Sequence, residues 1–138
     1  MSNIRQLREK TPDSEKITIN LGYVDLGRID LLVQEGFYSN RSDLIRTAIR
    51  NQLESHVEVV SKSLERHTME LGLRDYTVAD LEALKAAGEV LHVKVVGLAR
   101  IASDVTPELA RDTIGSITVL GALQASADIK KALADRIK

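Results

Sequence analysis

The stretch from Lys16 to Glu54, KITINLGYVDLGRIDLLVQEGFYSNRSDLIRTAIRNQLE, constrains the fold more than any other part of the chain. Its first six residues alternate strictly, with Ile17, Ile19 and Leu21 on one face and Lys16, Thr18 and Asn20 on the other. Period two is the pattern of a half-buried strand. A lone strand needs a partner, and no second strand follows within hairpin distance. The simplest partner is the same strand of another copy, paired antiparallel across a two-fold axis. Two helices come next. Tyr23 to Glu35 carries Val24, Leu26, Ile29, Leu32 and Val33 in one stripe, and Gly36 stops it in the C′ role. Phe37 and Tyr38 fill the connection. Ser39 or Asn40 then caps a second helix, with Asp43 at N3 beyond Asn40. Its stripe of Leu44, Ile45, Ala48, Ile49, Leu53, Val57, Val60 and Leu64 meets no glycine or proline. One helix from Arg41 to about Arg66 is therefore expected, about 40 Å long at 1.5 Å per residue.

Such a unit cannot bury its own apolar face, so the rest of the chain matters. Hydrophobic residues make up 43% of the 138 and charged residues 28%, a foldable rather than disordered balance. Aromatics are 3%, which leaves the core to Ile, Leu, Val and Ala. The absence of cysteine excludes disulfides, thiolate zinc sites and a cysteine nucleophile. No apolar run is long enough to span a membrane and the N-terminus lacks the apolar region of a secretory signal, so a cytoplasmic location is expected. A net charge of −1 does not decide for or against nucleic acid, because a local basic face can be balanced elsewhere.

Residues 69–138 change character. Short β-like runs, LHVKVVG at Leu91 to Gly97 and SITVLG at Ser116 to Gly121, alternate with helical segments. One helix opens on a Thr77–Asp80 cap and ends at Gly88. Another has Pro107 at N1 after Thr106 and runs to Thr113, and the last spans Ser126 to Arg136. Strand-helix alternation favours parallel pairing. Met69, Val93 and Ile117 recur every 24 residues, as do Leu71, Val95 and Val119, and Leu81, Val105 and Ile129. This spacing fits a short strand-helix solenoid. An ordinary small α/β domain with fortuitous spacing fits as well, since Thr106 and Ser126 fall out of register. A solenoid ending at Lys138 would have no polar capping unit, and an open end of a stack is where another copy can add.

The residues KITINL, the helix VDLGRIDLLVQE, the turn GFYSNRS and the helix DLIRTAIRNQL together resemble the ribbon-helix-helix DNA-binding proteins of the Arc/MetJ/CopG superfamily, and the CopG-like branch in particular. The resemblance covers about forty residues. It implies an intertwined ribbon-helix-helix dimer over 16–54. With the segments read from the residues themselves, an arm over 1–15, a helix extension or linker over 55–68 and a C-terminal α/β domain over 69–138, the chain is expected to be α+β. It also implies a β-ribbon that enters the major groove of double-stranded DNA. Base readers would be Lys16, Thr18 and Asn20: lysine toward guanine, asparagine toward adenine, threonine toward the thymine methyl. Ser39, Asn40, Arg41 and Ser42 would hold a phosphate at a helix N-terminus. Ile17, Ile19, Leu21, Leu26, Ile29, Leu44, Ile45, Ala48 and Ile49 would form the shared dimer core. The arm, with Arg5, Arg8 and Lys10, is either a mobile tail or a basic strap on neighbouring phosphates. Arg46 and Arg50 read as a solvated face. Gly22 departs from the pattern, standing where the family often has proline or an acidic residue.

The metal-sensing branch of that superfamily uses clustered histidines and a cysteine. Here His56, His67 and His92 are scattered and cysteine is absent, so neither metal nor other cofactor is expected. No nucleophile–base–acid set, P-loop or dinucleotide fingerprint is present, so no catalytic residue and no enzymatic activity are expected. The reading is a dimeric transcriptional repressor, nucleoid-associated when bound, whose C-terminal domain associates further or senses something. The alternatives are an antitoxin that binds a protein toxin through its tail, and an assembly scaffold that uses the first module as a dimer clamp.

Overall fold

The computed structural model describes residues 14–138, so the proposed arm lies almost wholly outside the described residues. The chain divides into two units, Met1–Val59 and Val60–Lys138.

In the first unit, residues 14–22 form neither helix nor strand. The sequence predicts a strand over Lys16 to Leu21, and the difference has a simple cause. A strand is defined by its ladder, and among the described residues no neighbouring strand lies beside this segment. Helix α1 (Tyr23–Gln34) and helix α2 (Arg41–Glu54) follow. Gly22 caps α1 with no side-chain hydrogen bond. At α2, Asn40 Oδ1 accepts the Asp43 amide at 2.8 Å, and the Asp43 carboxylate accepts the Ser39 amide at 2.9 Å. The capping exchange foreseen at Asn40 and Asp43 thus forms, shifted one residue at its return arm.

The single helix expected from Arg41 to Arg66 is not continuous. It is interrupted at Ser55 and His56, and helix α3 (Val57–His67) starts afresh. Ser55 Oγ donates to the Gln52 carbonyl at 2.6 Å, and the His56 amide bonds the Leu53 carbonyl, a tighter i to i−3 closure. A serine hydroxyl that competes for helix carbonyls favours such a break without any glycine or proline. Helix α3 ends on Thr68 at φ 54°, with the Met69 amide bonded to the Leu64 carbonyl. This is the left-handed helix end usually given to glycine.

The second unit holds three parallel strands in the order β1 (Glu70–Tyr76), β2 (Leu91–Ile101), β3 (Ile114–Gln124). Helix α4 (Val78–Ala87) connects the first pair, α5 (Pro107–Thr113) the second, and α6 (Ala127–Ala132) follows. The caps lie where the sequence puts them. Thr77 and Asp80 form a reciprocal capping box, and Thr106 and Ser126 accept from Leu109 and Ile129. Both predicted strands are longer than expected, and the last helix is shorter than Ser126 to Arg136. Val93 aligns with Ile117 and Val95 with Val119, a 24-residue offset, whereas β1 aligns to β2 with an offset of 25 (Leu71 to Val96).

The core face of β2 is made mainly by its odd-numbered residues, and that of β3 by Ile114 and Ile117. Val93, Val95, Ala99, Ile101 and Ile117 pack with Tyr76, Leu81, Val105, Ala110, Ile129 and Leu133 from the flanking elements. At one level of the sheet all three strands carry glycine, with Gly72 paired to Gly97 and Gly97 to Gly121. Their φ values are 129°, 138° and 119°, a region that side chains rarely enter. A methyl group built on Gly97 would overlap the Gly72 carbonyl oxygen, and one on Gly121 would overlap that of Gly97. Each strand therefore lies against its neighbour's backbone in a place that only hydrogen leaves open.

Candidate nucleic-acid interface

Among the described residues of α1, α2 and α3, none is buried. The alternation at the front of the unit sets Ile17 at 79% and Ile19 at 58% exposure, with Leu21 also exposed. Val24, Leu31, Leu32, Phe37, Ile49 and Leu53 are exposed too. Of the dimer-core residues expected from sequence, Leu26, Ile29, Leu44 and Ile45 are half-covered, where α1 and α2 touch, while Ala48 and Ile49 remain open. Apolar side chains exposed at this density mark an interaction surface rather than an ordinary solvated face. Lys16, Thr18 and Asn20, on the opposite parity of the extended segment, are exposed.

At the start of α2, Ser39, Asn40, Arg41 and Ser42 lie together, all exposed. Asn40 is occupied as the cap. Arg41 has a partner that the sequence does not reveal. Its guanidinium donates from Nε and from Nη2 to the two carboxylate oxygens of Asp30, each at 2.8 Å. This fork-on-fork pair joins α1 to the first turn of α2. The hydrogen bond from Arg41 holds the Asp30 carboxyl below its ordinary range, and Asp30 in turn raises the Arg41 guanidinium. Both groups are open to water, so the pair orients Arg41 more than it stabilises the unit. Eleven residues separate the two, a distance no local pattern connects.

The chain matches the family model of the ribbon-helix-helix transcriptional regulators over residues 12–130. It belongs to that family. The match runs through the second unit as well as the first, so this ribbon-helix-helix regulator carries its three-stranded sheet as part of the family's pattern. No curated protein and no solved structure gives a match. As a family member the protein is a DNA-binding regulator, and its mixed helix-and-strand composition agrees with that assignment.

In the second unit of the regulator, His92 Nδ1 lies 2.8 Å from Ser116 Oγ at the mouth of an open cleft of about 530 Å³ lined also by Lys94, Asp135, Arg136 and Lys138. Arg136 is committed there to the carbonyls of Arg111 and Ile114. His56 bonds Gln52, and no group of acidic residues and histidines suited to a metal ion occurs among the described residues. No helix of the described residues is long and apolar enough to cross a membrane.

Proposed function

We propose that two copies of this regulator pair their Lys16–Leu21 segments into an antiparallel ribbon, that the ribbon reads the major groove, and that the protein acts as a repressor. The observation that carries the proposal is the first unit's lack of a buried helix residue, set beside the strict alternation of Lys16 to Leu21. A second copy turns Ile17, Ile19 and Leu21 inward onto α1 and α2, and this leaves Lys16, Thr18 and Asn20 together on the outer face. The groove is wide enough for a two-stranded ribbon, and these three side chains supply one cation, one hydroxyl with a methyl, and one bidentate amide. Ser39 to Ser42 flank the ribbon as a phosphate clamp, through the N-terminal end of α2 and the Arg41 guanidinium.

The second unit serves association between copies in this reading. An antitoxin role is less well supported, because the C-terminal half is a sheet with its own core rather than a tail that would order on a toxin. Selection of bound duplexes from a random pool followed by sequencing tests the function directly. The triple substitution Lys16→Ala, Thr18→Ala, Asn20→Ala should abolish preference for the selected sequence. It should also make log affinity fall less steeply with log salt, to the extent that Lys16 neutralises a phosphate. Unchanged sequence preference in that variant would remove the ribbon as the reader.

A further inference from the structure

The two edges of the sheet are treated differently. Beyond β3, the last residues close the ladder in part: the Ile117 amide donates to the Arg136 carbonyl at 2.9 Å, and the Lys138 amide donates to the Ile117 carbonyl at 2.8 Å. The uncapped end expected from sequence is thus partly covered on this side. The edge of β1 has no such cover. Among the described residues its only strand partner is β2, and six of its seven residues are exposed, with Leu71 at 68% and Leu73 at 48%. An exposed edge with apolar side chains is a template for another strand.

The glycine level shows the same asymmetry. Where a methyl on Gly97 or Gly121 would meet a neighbouring strand's carbonyl, the equivalent place beside Gly72 holds nothing within 4 Å. The slot that accepts a close backbone is present at β1 and open.

The sequence of β1, ELGLRDY, fits itself. We propose that β1 of a second copy of this chain pairs with this edge, antiparallel and centred on Gly72. In that register Glu70 faces Arg74 of the second copy, Leu71 faces its Leu73, and the two Gly72 residues meet at the axis. Two unlike-charge pairs and two apolar pairs result, the combinations that favour cross-strand pairing. Neighbouring registers lose this. Centring on Leu73 sets Leu71 against Asp75, and centring between Gly72 and Leu73 sets Glu70 against Asp75. Within one chain Glu70 and Arg74 already form an ion pair at 2.9 Å, so neither charge is stranded when the copies separate. The result is a six-stranded sheet across a two-fold axis, twice the three strands of one chain. This names the partner surface for the association assigned above to the second unit, and it rests on that reading only for its use on DNA. Two sheets tethered to one ribbon-helix-helix dimer, or to neighbouring dimers on one duplex, would meet at a high effective concentration.

The chain has no cysteine, so introduced thiols report without background. Full-length Leu71→Cys and Leu73→Cys chains, differently tagged and co-expressed, should form disulfides with each other several-fold faster than either forms with itself. Adding Glu70→Arg to the first and Arg74→Glu to the second should widen that preference, because every like pair then opposes equal charges. Both leucines are exposed, so the substitutions leave the core intact. Equal rates for like and unlike pairs, or no cross-link in either, would overturn the proposal. The Lys16→Ala, Thr18→Ala, Asn20→Ala background should cross-link at the same rate. Loss of DNA reading and loss of sheet pairing are then separate outcomes.

Discussion

Replacing Gly97 by alanine tests whether the second unit is held by its glycine level. Two effects add. Holding a side chain at φ 138° costs on the order of 1–3 kcal/mol. The new methyl overlaps the Gly72 carbonyl oxygen, so β1 and β2 must shift apart, an overpacking effect of roughly 1–3 kcal/mol more. A total of about 2–6 kcal/mol is a large part of the roughly 5–15 kcal/mol that holds a typical domain. At about 4–8 °C per kcal/mol for a unit of this size, the midpoint should fall by about 8 °C at least. Gly72→Ala separates the two effects, since φ there is 129° but nothing lies within 4 Å of the added carbon. In protein dilute enough that copies do not pair, it should lose only the backbone contribution. Gly121→Ala should resemble Gly97→Ala. Urea unfolding with hydrogen exchange read on the β2 and β3 amides assigns the loss to the sheet. Equal losses for Gly72→Ala and Gly97→Ala would refute the close-approach argument.

Other expectations can be checked as directly. Asp30→Asn should free Arg41 and remove a negative charge beside the proposed phosphate clamp, raising DNA affinity a few-fold at low salt, whereas Arg41→Ala should weaken binding to all sequences alike; filter binding across a salt series decides it. Asp30, Asp80 and Asp135 are all held below the ordinary carboxylate range, by Arg41, by the Thr77 cap and by Arg111 respectively. A depressed folded value gives stability that is complete above the unfolded aspartate value of about 3.9 and is lost as pH falls through the folded values. These exposed contacts should therefore weaken only below about pH 4, and Asp80→Asn should flatten the pH dependence of the α4 cap. Thr68→Gly should stabilise the end of α3 by about 1 kcal/mol, because a β-branched residue now occupies φ 54°; an unchanged or lower melting temperature would contradict this.

What is legible in the sequence is local, and what is not is set by distant neighbours. The Asn40 cap, the Thr77–Asp80 box, Pro107 after Thr106 and the stop at Gly36 each depend on a few consecutive residues, and all form. Gly97 and Gly121 read as strand ends, because glycine usually punctuates. In the structure both lie mid-strand, where a neighbour's carbonyl requires them, and β2 and β3 continue to Ile101 and Gln124. Strand β1 shows in the sequence only through its spacing to Val95 and Val119. Its glycine, its three charges and its open edge hide the alternation that marks β2. The break at Ser55 depends on where one hydroxyl points. The Asp30–Arg41 pair joins two helices across a turn. The alternation of Lys16 to Leu21 is legible as a pattern, yet one chain forms no strand there, and the ladder proposed for it needs a second copy.

That last point reaches beyond geometry. In the dimer proposed above, a DNA-reading unit with no interior of its own owes its folded state to encounter, so its formation is second order in the number of chains. Halving the chains lowers the supply of competent readers by more than half. DNA occupancy then responds to dosage as a threshold rather than in proportion, before any ligand or second operator site is involved.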